Sequence, residues 1–345
     1  MPHGLDHIVH AVRDLDAAAE FYGRAGFTVG SRNRHPWGTH NRIVQLNGCF
    51  IEILEVAEPK KIVPHRARSF SFGAFNRDFL ARREGFSMLL LNSRDAAADA
   101  RAFEAANISN FDVFDFAREG KRPDGTVVKL AFSLAFAIDP NSPHLVPTLR
   151  SSRSVSAAPL RELRKEMGTS KLIDLSTASR SEVLEREPRG LWRRDFRSAV
   201  LGFAVCQHHF PENFWNPAFQ HHPNGAGAVR GVNVVAEEPS RHRDFLTAYA
   251  GVKSNVDGSG IVTRTENGDI AVMRPASWQE LSGIPVEAGG EGMTLHAVRF
   301  AVADLAQTEA LHRQNGLVFR RHAERLILAP EQAFGATLIF EAARA

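Results

Sequence analysis

Four stretches of the chain repeat one pattern of hydrophobic and polar positions. Each opens with a run rich in Val, Ile or Leu, which is typical of a strand, and continues into a stretch of helical character. The four are LDHIVHAVRDLDAAAEFYGRAGFTV from Leu5, GFSMLLLNSRDAAADARAFEAANI from Gly85, VRGVNVVAEEPSRHRDFLTAYAGV from Val229 and LHAVRFAVADLAQTEALHRQNGL from Leu295. The repeat predicts four equivalent structural units.

Each predicted helix has its own start and stop signals. A side chain that can accept from free backbone N–H groups precedes each helix, namely Asp14, Asp95, Ser240 and Asp304. A residue that tolerates left-handed backbone geometry follows each helix, and an apolar residue comes next. These pairs are Gly26–Phe27, Asn107–Ile108, Gly251–Val252 and Gly316–Leu317.

Further strand-like runs complete each unit. GTHNRIVQLNGCFIEILEV predicts two strands joined by a turn at Asn47–Gly48. Because a unit of this kind cannot bury both faces of its sheet alone, we expect the units to pair. The resulting fold class is α+β, with four βαβββ modules in two domains. The N-terminal domain spans 1–225 with modules at 4–57 and 85–211, and the C-terminal domain spans 226–345 with modules at 228–275 and 293–343.

A basic segment at about 139–197 interrupts the second module. A long strand predicted from GTVVKLAFSLAFAI precedes it, and a closing strand predicted from SAVLGFAVCQHHFP follows it. Residues 150–197 include 12 basic and 7 acidic side chains, whereas the whole chain has a formal net charge of +3, so the positive charge is local. PLRELRKEMG and SRSEVLERE predict short surface helices. We interpret the segment as a solvated insertion, since no zinc-finger or stacking-aromatic pattern supports a nucleic-acid partner.

The composition predicts a globular cytoplasmic protein. The two cysteines, Cys49 and Cys206, are too few for a disulfide framework. The N-terminus lacks the basic and apolar regions of a signal peptide, and no apolar run is long enough to span a membrane. We expect a small-molecule substrate, no membrane or nucleic-acid partner, and an oligomeric state that stays open, with a homodimer as one option.

Three stretches resemble the vicinal oxygen chelate (VOC) superfamily of glyoxalases and extradiol dioxygenases. They are LDHIVHAVRDLDAAAEFY, HPWGTHNRIVQLNGCFIEILEV and CQHHFPENFWNPAFQHHPNG. The chain is most similar to the glyoxalase-like domain proteins of that superfamily. The likeness covers both domains but not the basic insertion. It implies that each pair of modules forms a half-open barrel, and that strands at the start and end of the modules hold one divalent metal.

The resemblance implies that His7, Glu52 and His209 hold the metal. Glu52 stands in the apolar run FIEIL, where a carboxylate needs a cation or hydrogen bonds. Alternation along the strand places it on one face with Phe50 and Leu54. An ion pair at a strand edge is the alternative interpretation of Glu52. His7 lies on the first strand, whose alternation sends His10 to the other face.

The last strand of the second module offers two adjacent histidines. Because His208 and His209 cannot point the same way on a regular strand, only one of them can be the third ligand. The resemblance favours His209, with His208 as the alternative, and gives Glu52 and His209 catalytic roles. Two imidazoles and one carboxylate suit Fe(II) or Mn(II), while Zn(II) and Ni(II) also occur on such barrels.

Two loops offer substrate-binding residues. His35, Thr39 and Asn41 can hydrogen-bond a polar substrate, although Thr and Asn in a turn can equally satisfy their own backbone. Phe214 and Trp215 can form an apolar wall of a pocket or a packing plug between the domains.

The leading functional hypothesis is a metal-dependent lyase or isomerase of glyoxalase type that acts on a small substrate with two vicinal oxygens. An Fe(II) dioxygenase that opens a catechol-like ring is the first alternative. A small-molecule binding or resistance protein without turnover is the second. The C-terminal domain lacks a matching His–Glu set, with Asn233 taken as the counterpart of His7, and is expected to be a structural or substrate-shaping copy. Nucleotide, nicotinamide and common hydrolase motifs are absent.

Overall fold

Two eight-stranded mixed sheets form the framework of the chain. The computed structural model describes residues 2–121, 125–142, 201–286 and 292–343. The predicted α+β class, with module pairs forming two half-barrel sheets, is confirmed. The first sheet ends at His208 and the second begins at Ala226, while the domain boundary between 225 and 226 stays a prediction.

The first sheet has the strand order β2-β3-β4-β1-β5-β8-β7-β6. In its middle, β1 pairs in parallel with β4 and antiparallel with β5, which places the opening strands of two modules side by side. The strands are β1 Leu5–Ala11, β2 Asn33–Arg34, β3 Thr39–Leu46, β4 Cys49–Val56, β5 Gly85–Asn92, β6 Phe114–Lys121, β7 Val127–Ala137 and β8 Gly202–His208.

The second sheet repeats this topology with the order β10-β11-β12-β9-β13-β16-β15-β14. The matching order confirms that the chain repeats one module four times. The strands are β9 Ala226–Val235, β10 Asn255–Val256, β11 Gly260–Arg264, β12 Asp269–Met273, β13 Thr294–Val302, β14 Arg320–His322, β15 Arg325–Leu328 and β16 Thr337–Ala342.

Seven α-helices lie in the described ranges. Asp14, Asp95 and Asp304 cap three of them as predicted, since each carboxylate accepts from backbone N–H groups of the first turn. Ser240 was a wrong choice, because residues 239–242 form a 3₁₀ turn and the helix begins after His242. The helices are α1 Leu15–Arg24, α2 Phe72–Leu80, α3 Ala96–Ala105, α4 Pro211–Phe214, α5 Arg243–Ala250, α6 Pro275–Ser282 and α7 Leu305–Gln314.

The predicted helix stops are confirmed in all four modules. Gly26, Asn107, Gly251 and Gly316 adopt φ values between 57° and 84°. This left-handed turn lets the next residue fold back onto the helix. Phe27 N–H, for example, donates to the carbonyl oxygen of Tyr22 at 3.0 Å.

The two faces of the first sheet enter different cores. Ile8, Ile51 and Ile53 belong to the largest buried cluster, which also contains helix residues and residues of the second sheet. Val9 and Leu54 belong to a separate cluster on the concave face of the first sheet. The alternation predicted for β1 and β4 is therefore confirmed, and it determines which polar side chains reach the concave face.

The two helices predicted within 139–197 lie outside the described residues. None of the helices in the described ranges has the length and apolar character needed to span a bilayer.

His10 connects β1 with the second half of the chain. It is fully buried, its Nδ1 accepts from the Tyr22 hydroxyl at 2.9 Å, and its Nε2 donates to the Phe334 carbonyl at 3.0 Å. Burial, assisted by the charge of Arg83, lowers the pKa of His10 to about 4 although the bond to Phe334 opposes the shift. His10 is therefore neutral in the folded protein at neutral pH.

We expect His10 to destabilise the protein in acid. Because the pKa of an unfolded histidine is near 6.5, the unfolded chain binds more protons than the folded chain between about pH 6.5 and about pH 4. The free energy of unfolding should therefore fall by about 3 kcal/mol as the pH drops through this window. Urea unfolding at about pH 7.5 and about pH 4.5 should show a fall that is about 2 kcal/mol smaller in His10→Gln than in wild type. Equal falls would contradict this role.

Candidate metal centre

Glu52 lies on the concave face of the first sheet. It is 6% exposed and is directly opposite Val9 in the register of β4 and β1. The Asn41 side-chain amide donates to Glu52 Oε1 at 2.5 Å. Burial raises the pKa of the Glu52 carboxyl, and the nearby His7, Asn41 and Arg118 offset only part of this effect. The alternative interpretation, an ion pair at a strand edge, does not fit because β4 is an interior strand.

A β-bulge brings two consecutive residues of β1 to one place. Leu5 pairs with Leu91 and His7 with Leu90, so Asp6 is an extra residue without a partner across the strand. A bulge of this kind re-aims side chains that regular alternation would send to opposite faces. Asp6 and His7 are both buried, and His7 Nδ1 donates to Asp6 Oδ1 at 2.5 Å.

Asp6 also accepts a hydrogen bond from His208, which lies at the end of β8. His208 Nε2 lies 3.0 Å from Asp6 Oδ2 and 3.2 Å from Oδ1. Burial alone would raise the pKa of Asp6, but the electrostatic interactions and hydrogen bonds with His208 and His7 outweigh it and hold the pKa well below its usual range. One ionised carboxylate therefore orients two imidazole rings.

His7 faces Glu52 across the parallel pair of strands. His7 Nε2 and Glu52 Oε2 are 3.9 Å apart, which is too long for a hydrogen bond. The His7 ring stacks on Phe50 with centroids 4.3 Å apart. His7 therefore presents one nitrogen to Asp6 and the other toward the Glu52 carboxylate.

The structure separates the two adjacent histidines. His208 reaches Asp6, whereas His209 Nε2 contacts Ser133 Oγ at 2.7 Å, and Ser133 in turn donates to Asp115 at 2.5 Å. His209 is exposed and follows the last residue of β8. The structure thus brings the alternative residue, His208, to the side chains around Asp6, and it places the preferred His209 elsewhere.

The residues predicted for substrate binding form a chain of hydrogen bonds that ends at Glu52, although Thr39 and Asn41 lie on β3 and not in a loop as predicted. His35 Nδ1 donates to Thr39 Oγ1 at 2.8 Å, and its Nε2 lies 3.4 Å from the Asn41 amide that holds Glu52. Burial lowers the pKa of His35 to about 3, so the ring is neutral and can accept from Asn41. The alternative interpretation, in which Thr39 and Asn41 only satisfy the backbone of a turn, does not account for Asn41, because Asn41 bonds other side chains.

Aromatic rings surround His208. Trp215 stacks with the His208 ring at a centroid distance of 5.9 Å, and Phe214 lies 5.0 Å away. Both also contact Phe50, the ring that stacks on His7. Gln45 fixes this segment by bonding the Phe214 carbonyl at 2.7 Å. Phe214 and Trp215 therefore lie beside the two histidines, and their role as a pocket wall stays a prediction.

A family model described as "Glyoxalase-like domain" matches residues 5–182, just over half of the 345 residues. The chain belongs to this glyoxalase-like domain family. The resemblance to the VOC superfamily that the sequence stretches carry is thereby confirmed. No curated protein sequence matches the chain.

Solved structures of low sequence identity share the fold of this glyoxalase-like protein. A hypothetical protein from Staphylococcus aureus has 12% identity and a TM-score of 0.55, and the alignment covers 99% of this chain and 100% of that chain. A mutant of 4-hydroxymandelate synthase from Streptomyces coelicolor has 10% identity and a TM-score of 0.50, with coverage of 100% and 94%. At these identities the likeness concerns the fold alone.

Members of the VOC superfamily usually bind a divalent metal, and the imidazole and carboxylate groups around Asp6 are of the types that such a metal binds. Because both histidines donate to Asp6, the nitrogens left with lone pairs are His7 Nε2 and His208 Nδ1. His208 Nδ1 is buried without a hydrogen-bond partner among the described residues, and His7 Nε2 faces Glu52. A carboxylate that bonds the far nitrogen of a ligating histidine is the usual support of a metal site.

A second group of possible ligands overlaps the first. Ligand atoms of Asp6, Cys206 and His208 all lie within 4.8 Å of one another. Burial and the negative charge of Asp6 raise the pKa of the Cys206 thiol well above its usual value. Because Asp6 already accepts from both histidine rings, we assign it to orienting them and retain His7, Glu52 and His208 as the candidate ligands.

The second sheet fills the corresponding place with charged side chains of its own. The residue that follows the matching bulge on β9 is Gly231 rather than Asn233, so the counterpart assumed from the sequence was two residues off. A Cβ at Gly231 would collide with Arg299 and Asp269, which form an ion pair. Arg299 also lies 3.7 Å from Glu341. The guanidinium of Arg299 therefore lies between two carboxylates and balances their negative charge without a metal. This supports a structural role for the second half.

Sequence reasoning missed Asp6 and Arg118. Asp6 was hidden because a regular strand would turn it away from His7, and only the bulge shows otherwise. Arg118 had a signal, since FDFAREGK alternates Phe114, Phe116 and Arg118 on one face of β6.

Proposed function

We propose that this glyoxalase-like protein is a metal-dependent lyase or isomerase whose small substrate chelates a divalent metal through two vicinal oxygens. His7, Glu52 and His208 would hold the metal. The arrangement of two histidines on Asp6, with His208 Nδ1 unpartnered and His7 Nε2 aimed at Glu52, is the observation that carries the proposal. When bound, the metal would act as a Lewis acid that stabilises negative charge developing on the substrate oxygens.

The protein residues would position the substrate and move a proton. Asn41 holds Glu52 Oε1, which leaves Oε2 directed toward His7. If Glu52 releases the metal during the reaction, its buried carboxylate can accept a proton from a carbon next to a substrate oxygen. The rings of Phe50, Phe214 and Trp215 exclude water from this side.

An Fe(II) dioxygenase is the second candidate. Two imidazoles and one carboxylate form the ligand set that non-haem Fe(II) oxygenases use. The fold is also that of a 4-hydroxymandelate synthase. This candidate requires iron and consumption of O₂, whereas the lyase or isomerase requires neither.

Metal analysis by mass spectrometry tests the proposal. Protein prepared without chelators or nickel resin should contain about one divalent metal per chain, and Glu52→Ala and His7→Ala should contain almost none, because a ligand is lost. Glu55→Ala is the matched control, since Glu55 lies on the same strand but pairs with Arg32. Iron in the native protein would favour the dioxygenase, and zinc, nickel or manganese the lyase or isomerase.

The opposite outcome is equally informative. Native protein that binds no divalent ion, with both variants folded like wild type by circular dichroism, would contradict the catalytic proposal. A binding protein without turnover would then be the remaining candidate.

A further inference from the structure

Arg118 is a cation on the concave face of the first sheet, and it forms no ion pair with any acidic side chain among the described residues. Its side chain is half-buried, and its only hydrogen bond among the described residues goes from Nη1 to the Glu119 carbonyl at 3.1 Å. The ion pairs found in the described ranges do not include it. An arginine that is partly withdrawn from water normally pairs with an anion, so this guanidinium has capacity for a ligand.

Neighbouring residues place Arg118 near the candidate metal centre. Phe116, two residues earlier on the same face of β6, lies 5.7 Å from the His35 ring and 4.7 Å from the Trp37 ring. Same-face neighbours on a strand are about 7 Å apart. His35 contacts Asn41, which holds Glu52. The positive charge of Arg118 accordingly lowers the pKa of both His35 and Glu52, although burial is the larger influence on each.

The surface between Arg118 and the metal centre is aromatic. Phe116 stacks with Phe132 at 6.4 Å, and Phe132 contacts His208 at 4.9 Å and Phe214 at 5.8 Å. Flat rings favour a flat apolar ligand. A guanidinium at one end of such a surface favours a carboxylate, which it can bind through two parallel hydrogen bonds.

We propose that the substrate is an aromatic carboxylate whose vicinal oxygens face His7, Glu52 and His208 and whose carboxylate pairs with Arg118. This inference rests on the proposed function for the vicinal oxygens, while the role of Arg118 stands on its own contacts. Arg118 is a specificity-determining residue in this arrangement, and the Phe116–Phe132 surface holds the ring.

Two probes of nearly the same shape, one anionic and one neutral, test the assignment. Binding of 3,4-dihydroxybenzoate and of 3,4-dihydroxybenzamide to the full-length Zn(II)-loaded protein is measured by anaerobic calorimetry. Wild type should bind the carboxylate about tenfold or more tightly than the amide, because a hydrogen bond to a charged group is lost with the amide. Arg118→Gln should bind both about equally, with the affinity for the amide unchanged within about twofold, and Arg118→Lys should restore part of the preference.

A control and a second variant separate this inference from the proposed function. Lys129→Gln removes a positive charge from the adjacent strand, where Lys129 lies over the Phe210 ring, and should keep the full preference. If His7→Ala still prefers the carboxylate over the amide and Arg118→Gln does not, the proposed metal chelation is wrong and the role of Arg118 is supported. If His7→Ala loses both ligands while Arg118→Gln keeps the preference, the Arg118 inference is overturned. Failure of wild type to bind either probe also overturns it.

Discussion

Replacing His208 with alanine should reduce the affinity for a divalent metal by at least about 100-fold, while His209→Ala should leave it unchanged. Loss of a residue that only supports a ligand costs about 10- to 100-fold in affinity, so loss of a ligand should cost at least as much. His209 instead bonds Ser133. Titration of chelator-treated protein with Zn(II) in the presence of a competing indicator measures both affinities.

The two substitutions make a matched pair of adjacent residues. Each removes one imidazole from the end of β8 at a position that is not fully buried. Urea unfolding of the metal-free variants shows whether either change alters the fold. Loss of metal in His209→Ala with retention in His208→Ala would restore the ligand set that the sequence favoured and would require β8 to turn by one residue.

The sequence predicted the features of the site that follow from regular periodicity. Glu52 was assigned to the concave face because β4 alternates without interruption, and the register with β1 confirms this. The modules were predictable because each repeats the same strand, cap and left-handed stop. Three of the four predicted helix caps are confirmed. Ser240 does not cap its helix because Pro239 begins a 3₁₀ turn in front of the helix.

The features of the site that the sequence did not predict lie where the backbone is irregular. The bulge at Asp6 adds one residue to β1, and its position depends on pairing with β5, which lies about eighty residues away in the chain. The choice between His208 and His209 depends on where β8 ends, and strand ends are the least predictable part of an element. Both problems concern residues at which alternation stops.

The two half-barrels show how one framework supports two solutions for a buried charge. In the first, Asp6 orients two histidines whose other nitrogens are the proposed metal ligands. In the second, Gly231 leaves room for Arg299, which pairs with Asp269 and lies near Glu341. Gly231 has no side chain, so the guanidinium of Arg299 fits beside it. The second half therefore contains a cation of its own, at the place where the first half has the proposed metal site.

Changing Asp6 to asparagine should lower metal affinity by about 10- to 100-fold without abolishing binding. Asparagine keeps the size of the side chain but loses the negative charge, and its NH₂ group, unlike its oxygen, cannot accept from a histidine N–H. One of the two rings would then lose its orientation. The measurement is the same Zn(II) titration, with Asp99→Asn as the matched control because Asp99 lies 3.5 Å from His3, away from the concave face.

Cys206→Ala decides between the two ligand groups that share Asp6. If Asp6 only orients His7 and His208, Cys206 is not a ligand, and its removal should change the metal affinity by less than about threefold because no ligand is lost. If Asp6, Cys206 and His208 instead bind the metal directly, Cys206→Ala and Asp6→Asn should each abolish binding, whereas Glu52→Ala should have little effect. The metal affinities of these three variants therefore show whether the carboxylate of Asp6 or that of Glu52 coordinates the metal.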